Sequence, residues 1–127
     1  MKKTVLLTLL LAVPLAAQQS TKVTPLITKD LANIPGKEVR MVTVEFPPGG
    51  SDPAHRHDAY VFVYVLEGSV VMGVKGGNPV TLTPGQTFYE GPEDIHTIAR
   101  NASKTMPAKF IAFLLKDKST PASIPVK

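Results

Sequence analysis

Short apolar runs alternate with Pro- and Gly-rich breaks along this chain, and no segment of its mature part sustains the spacing of a helix face. The strongest run is Tyr60-Val61-Phe62-Val63-Tyr64-Val65-Leu66. It is β-branched or aromatic at six of seven positions and apolar throughout, which predicts a strand buried on both faces. Val39 to Phe46 predicts a strand of mixed alternation, ended by the loop Pro47 to Pro53. After the Glu67-Gly68 turn come Ser69 to Lys75, a Gly76-Gly77-Asn78 hairpin and the returning Pro79-Val80-Thr81-Leu82. Thr83-Pro84-Gly85-Gln86 reads as a turn with Pro at its second position. Gln86 to Glu90, Ile95 to Asn101 and Ala108 to Leu115 supply the remaining strands. Seven or so short strands with tight turns predict an all-β sandwich or barrel.

The first residues follow a different pattern. Met1-Lys2-Lys3 is a positive start, Val5 to Val13 an apolar run, and Pro14 precedes small residues at Ala16 and Ala17. That order predicts a secretory signal peptide over 1–17, and hence a secreted or periplasmic protein. The apolar run falls short of the ~20 residues that span a bilayer, so no membrane association is expected after processing. The organisation expected is therefore a leader (1–17), an N-terminal arm (18–37), one folded domain (38–116) and a tail (117–127).

Composition then narrows the function classes. Lysine plus arginine is 14 against 10 acids in the 127-residue chain. Two of those lysines lie in the leader, so the mature excess is only two, and no basic cluster interleaves with aromatics. Nucleic acid is not an expected partner. With no cysteine, disulfide staples are excluded and stability must come from packing, a metal or a second subunit.

The chemistry concentrates in three histidines, the full complement of the chain: His55, His57 and, thirty-nine residues further on, His96. Residues i and i+2 on an extended segment point to one side, so His55 and His57 can chelate one ion. A distant third imidazole completes a three-nitrogen set with positions left open. Glu90 lies on the short strand before His96 and is the candidate carboxylate, as metal ligand, proton-transfer group, partner of a ligand imidazole, or merely a solvated strand end. If the histidines face a barrel interior, Val61 and Val63 line its pocket with Phe88 beside them. Tyr60, Phe62 and Tyr64 then pack on the opposite face.

These spacings resemble the cupin superfamily. Its first motif has Gly, five residues, His-x-His, three or four residues, Glu, six residues and Gly; Gly49, His55, His57 and Gly68 stand at those places. In the second motif Gly85 and His96 keep the spacing, while Gly91, Glu93 and Arg100 replace the usual Pro, Gly and Asn. Val61 occupies the place of the metal-binding Glu. The resemblance covers Val39 to Leu115 and implies a single-domain cupin β-barrel of jelly-roll type. It also implies one divalent transition metal on His55, His57 and His96, with Fe or Mn first and Ni, Co, Cu or Zn as alternatives, and a homodimer. The implied function is a metal-dependent, dioxygenase-type oxidation of a small organic molecule, resembling the quercetin-dioxygenase-like cupins. The alternatives are a cupin lyase or isomerase, or a non-catalytic module binding a metal or small molecule.

Overall fold

In the computed structural model, residues 19–127 are described; the leader expected over 1–17 lies outside them. Eleven strands and no helix are found among the described residues. They are β1 (Lys22–Asp30), β2 (Lys37–Phe46), β3 (Ser51–Asp52), β4 (His55–Arg56), β5 (Ala59–Glu67), β6 (Val70–Val74), β7 (Val80–Leu82), β8 (Thr87–Glu90), β9 (His96–Asn101), β10 (Ala108–Asp117) and β11 (Ile124–Pro125).

Two antiparallel sheets face each other. The first, of order β1-β2-β10-β5-β8, is built largely from long strands; the second, of order β11-β4-β9-β6-β7 with β3 also on β9, from short ones. From β5 onward the chain passes between the sheets repeatedly, which produces the expected jelly roll. Two segments without a strand reading in the sequence also pair. The arm supplies β1, hydrogen-bonded along β2, and the tail supplies β11, which docks on β4.

The inner face of the first sheet follows strict alternation. On β10, Ala108, Phe110, Ala112, Leu114 and Lys116 are buried, and on β5 Ala59, Val61, Val63 and Val65. Burying such side chains contributes about 1.5–3 kcal/mol for each fully buried Val, Leu or Phe. Phe46 and Phe110 pack with ring centroids 5.6 Å apart. Gly68 enables the turn between sheets. Its φ is +67°, and a Cβ there would collide with the Pro107 carbonyl, so a larger residue is excluded by both strain and space.

β5 corrects one expectation. Tyr60, Phe62 and Tyr64 are about half exposed, so the strand is buried on one face only. Among the described residues nothing covers the outer face of the first sheet, where the Phe62 ring packs beside Tyr89 and Phe113. The continuous apolar run therefore did not mean two-sided burial within one chain.

Candidate metal centre

The three histidines converge because of register. His55 on β4 is paired directly with His96 on β9, which places their side chains on one face. His57 follows β4 and points to the same side, its ring edge-on to His55 with centroids 4.7 Å apart. Asp58 then adopts φ +48°, a left-handed conformation that Asp tolerates, and the chain turns into β5. Asp58 pairs with Arg56 at 3.3 Å and takes no part in the cluster. One nitrogen from each of His55, His57 and His96 lies within 4.8 Å of the other two.

Backbone carbonyls fix two of the tautomers. His55 Nδ1 donates to the Pro53 carbonyl at 2.8 Å, and His57 Nδ1 donates to the Ala122 carbonyl at 2.5 Å. A carbonyl can only accept, so in the neutral state each ring carries its lone pair on Nε2. Those two Nε2 atoms face each other at 3.2 Å. Two neutral nitrogens so oriented repel unless a proton or cation lies between them. Ligands about 2.1 Å from one ion stand roughly 3 Å apart, so the pair has the spacing of neighbouring metal ligands. His96 is buried, and neither of its ring nitrogens has a hydrogen-bond partner. Such an orphaned buried group calls for a ligand. The cluster fits a metal ion that takes imidazole nitrogen.

The carboxylate comes from the other sheet. Val61, standing where a ligand Glu was expected, is paired across β5 and β8 with Glu90. Directly opposed residues share a face, so Glu90 offers its carboxylate from the place next to Val61. Its Oε1 is 3.3 Å from His57 Nε2 and its Oε2 is 3.1 Å from His96 Nδ1. The His96 contact is a close approach rather than an aligned hydrogen bond, since the nitrogen has no hydrogen-bond partner. Glu90 is buried, which removes the solvated strand-end alternative.

Protonation follows from these contacts. Burial would raise the Glu90 pKa, but the contacts and charges of His57 and His96 outweigh it and hold the group at about 2. Burial acts on His57 in the direction of the neutral ring; Glu90 and the Ala122 carbonyl overcome it and raise its pKa. His55 is lowered, mainly by burial, with the Pro53 hydrogen bond opposing. An anionic carboxylate beside converging lone pairs is an electrostatic setting for a cation.

The cluster opens into a cavity of about 630 Å³ between the sheets, within the usual range for small-molecule sites. Val61 and Val63 line it as expected, beside Leu114 and Ala112. Phe88 does not line it. Its ring stacks on His96 with centroids 5.9 Å apart and an interplanar angle of 26°, and it packs against the core. Phe88 is paired with Val63 across β5 and β8, and it meets the His96 imidazole from that inner face. Residues from the arm (Val23, Pro25) and the tail (Ala122, Ser123) contribute to the wall.

Two participants were missed in the sequence. The Ala122 carbonyl carries no side-chain signal and is found only by folding the tail back. Arg40 lines the cavity, and its signal was present: it shares parity with the inward Val42, Val44 and Phe46 of β2.

The model of the cupin domain family matches residues 42–114, more than half of the chain. Among solved structures the chain is similar to an oxalate oxidase in complex with the substrate analogue glycolate, with TM-score 0.64 and 24% identity over 86% of this chain and 56% of that one. It is also similar to the DMSP lyase DddQ from Ruegeria pomeroyi, with TM-score 0.58 and 23% identity over 65% of this chain and 41% of that one. A cupin domain from Bordetella pertussis matches with TM-score 0.59 and 24% identity over 79% of this chain and 97% of that one. The chain thus spans less than two thirds of the oxalate oxidase and of the lyase. No curated protein matches it by sequence.

Proposed function

The chain belongs to the cupin domain family, and on that premise we propose that it is a metal-dependent enzyme acting on a small organic molecule, with dioxygenase-type oxidation as its reaction. A single divalent transition metal, Fe or Mn first, is held by His55, His57 and His96. The observation that carries this reading is the pair of Nε2 lone pairs facing at 3.2 Å, beside an orphaned, buried His96 and an anionic Glu90, at the wall of an apolar cavity. When bound, an ion of this class supplies Lewis acidity and, for Fe or Mn, redox chemistry.

The chain's own residues prepare the site. Pro53 and Ala122 hold two rings in the metal-binding tautomer, as ligand imidazoles generally require. Phe88 fixes the plane of His96. Val61, Val63 and Leu114 exclude water from the reacting volume and strengthen its electrostatics. Glu90 orients His57 and His96 and offsets positive charge. Its buried carboxylate beside the two rings makes it an orienting group, and it remains the proton-transfer candidate.

Lyase chemistry is the second reading. Its support is a carboxylate placed beside the ligand set, together with the fold likeness to a DMSP lyase. We further propose export to the periplasm or beyond, directed by the leader over 1–17, and a homodimer that covers the aromatic outer face of the first sheet.

Elemental analysis of protein purified from its native compartment tests the metal. Less than about a tenth of an equivalent, with no rebinding on dialysis, overturns the enzyme reading. Oxygen uptake against diketones, flavonols and thiols then separates oxidation from lyase chemistry.

A further inference from the structure

Glu90 begins a row of directly paired residues that crosses the inner face of the first sheet. Glu90 pairs with Val61, Val61 with Leu114, Leu114 with Arg40, and Arg40 with Thr28. Paired residues share a face, so Glu90 and Arg40 stand on the same inner surface, three strand spacings or roughly 14 Å apart at the backbone. Val61 and Leu114 form an apolar floor between them. Arg40, Val61, Leu114 and Glu90 all line the one cavity.

Three lysines near the Arg40 end are matched by carboxylates. Lys116 is buried and pairs with Glu38 at 3.1 Å. Lys37 pairs with Asp117 at 2.9 Å, and Lys118 with Asp30 at 2.5 Å. Arg40 reaches only 3.8 Å from Glu38 Oε1, the oxygen already bonded to Lys116. Its Nε is buried with no hydrogen-bond partner. The guanidinium therefore has a buried Nε without an acceptor at the wall of an apolar cavity, while 38% of the side chain stays exposed. A buried donor without an acceptor is costly, and an anionic ligand group supplies that acceptor in fork-like, charge-assisted form.

We infer that Arg40 is a specificity-determining residue that binds the anionic end of a small carboxylate whose apolar body lies over Leu114 and Val61 towards the histidine cluster. This rests on the cavity being the substrate site of the function proposed above. It narrows the substrate class to carboxylates with an apolar body at least several carbons long. A neutral molecule of the same shape leaves the guanidinium unpaired and is discriminated against.

Calorimetric titration with octanoate and with 1-octanol tests the assignment, on the protein as purified and again after removal of metal by chelator. Wild type is expected to bind octanoate at least about tenfold more tightly than octanol, or about 1.4 kcal/mol, in both forms. Arg40→Gln should lose that preference while taking up metal at the wild-type stoichiometry, and Arg40→Lys should retain part of it. If Arg40→Gln fails to fold by circular dichroism, Arg40→Met serves in its place. Equal affinity for both probes, no binding of either, or a preference that survives loss of the guanidinium overturns the proposal. The two readings fail separately. Absence of metal with the carboxylate preference intact defeats the metalloenzyme reading alone, whereas full metal occupancy without the preference defeats only the role of Arg40.

Discussion

The two sheets contribute to the site in different ways. The first carries its chemistry on long, regularly paired strands: Glu90, Arg40 and the apolar floor between them are fixed by ladder positions. The second carries the imidazoles on or beside strands of two and six residues. There the side chains are held by carbonyls of irregular segments, Pro53 and Ala122. A ladder sets which face a residue occupies over many hydrogen bonds at once. A short strand cannot, so each ring needs its own second partner. Damage to the first sheet should therefore appear as lost stability or altered ligand preference, and damage to the second as lost metal with little unfolding.

The largest expected effect is at the buried pair of the first sheet. Glu38→Ala leaves the Lys116 charge buried and should cost about 3–5 kcal/mol in urea denaturation. Replacing both partners by apolar residues, Glu38→Leu with Lys116→Met, should be near neutral. A large loss in the double variant would show that the pair stabilises beyond mutual compensation.

Next is the second sheet. His96→Ala should weaken metal binding by about a hundredfold or more, judged against the 10–100-fold typical of losing a mere partner of a ligand. Its urea midpoint should change far less than that of Glu38→Ala. Elemental analysis showing full occupancy in this variant would break the three-histidine assignment.

The carboxylate joins the two sheets and gives a sharper test. Glu90→Val should lower metal affinity by about 10–100-fold, read by competition with a chelating dye. Adding Val61→Glu moves the carboxylate to its directly opposed partner, and the double variant should recover part of the loss. No recovery would mean that the carboxylate must stand at Glu90 itself.

Deleting residues 121–127 removes β11 and the Ala122 carbonyl that fixes the His57 tautomer. Metal affinity should fall by about tenfold, at the low end of the range for such partners, with the first sheet intact by circular dichroism. The smallest effect should come from the outer face. Phe62→Ser should change the stability of a monomer by less than about 1 kcal/mol, since exposed sites away from special features are usually tolerant. It should weaken the proposed homodimer in sedimentation equilibrium; an unchanged association constant would place the subunit contact elsewhere.

Much of the barrel was legible because period-two patterning and turn chemistry are local. β2, β5, β6, β7, β8, β9 and β10 fall on the runs that predicted them. The spacing from Gly49 through His55, His57 and Gly68 to Gly85 and His96 was also readable, and the three imidazoles do meet. The arm and tail strands were not legible as strands. Their pairing depends on the edges they find on β2 and β4, and β1 is mostly exposed. The two-sided burial expected of β5 is not met among the described residues for the same reason: an apolar residue records what can be covered, not what covers it. Phe88 was brought to the site by stacking on His96, a contact that depends on where β9 lies relative to β8.

By itself, then, the sequence determined the all-β class, the turns and the three nitrogen donors, each set by residue type and spacing along a few positions. Tertiary structure alone decided what surrounds those donors. Strand register set Glu90 opposite Val61 and put Arg40 on the same row, because pairing across a sheet couples residues that are dozens of positions apart. The returning tail chose the His57 tautomer through a backbone carbonyl, a group that every residue carries and that no side-chain pattern can reveal.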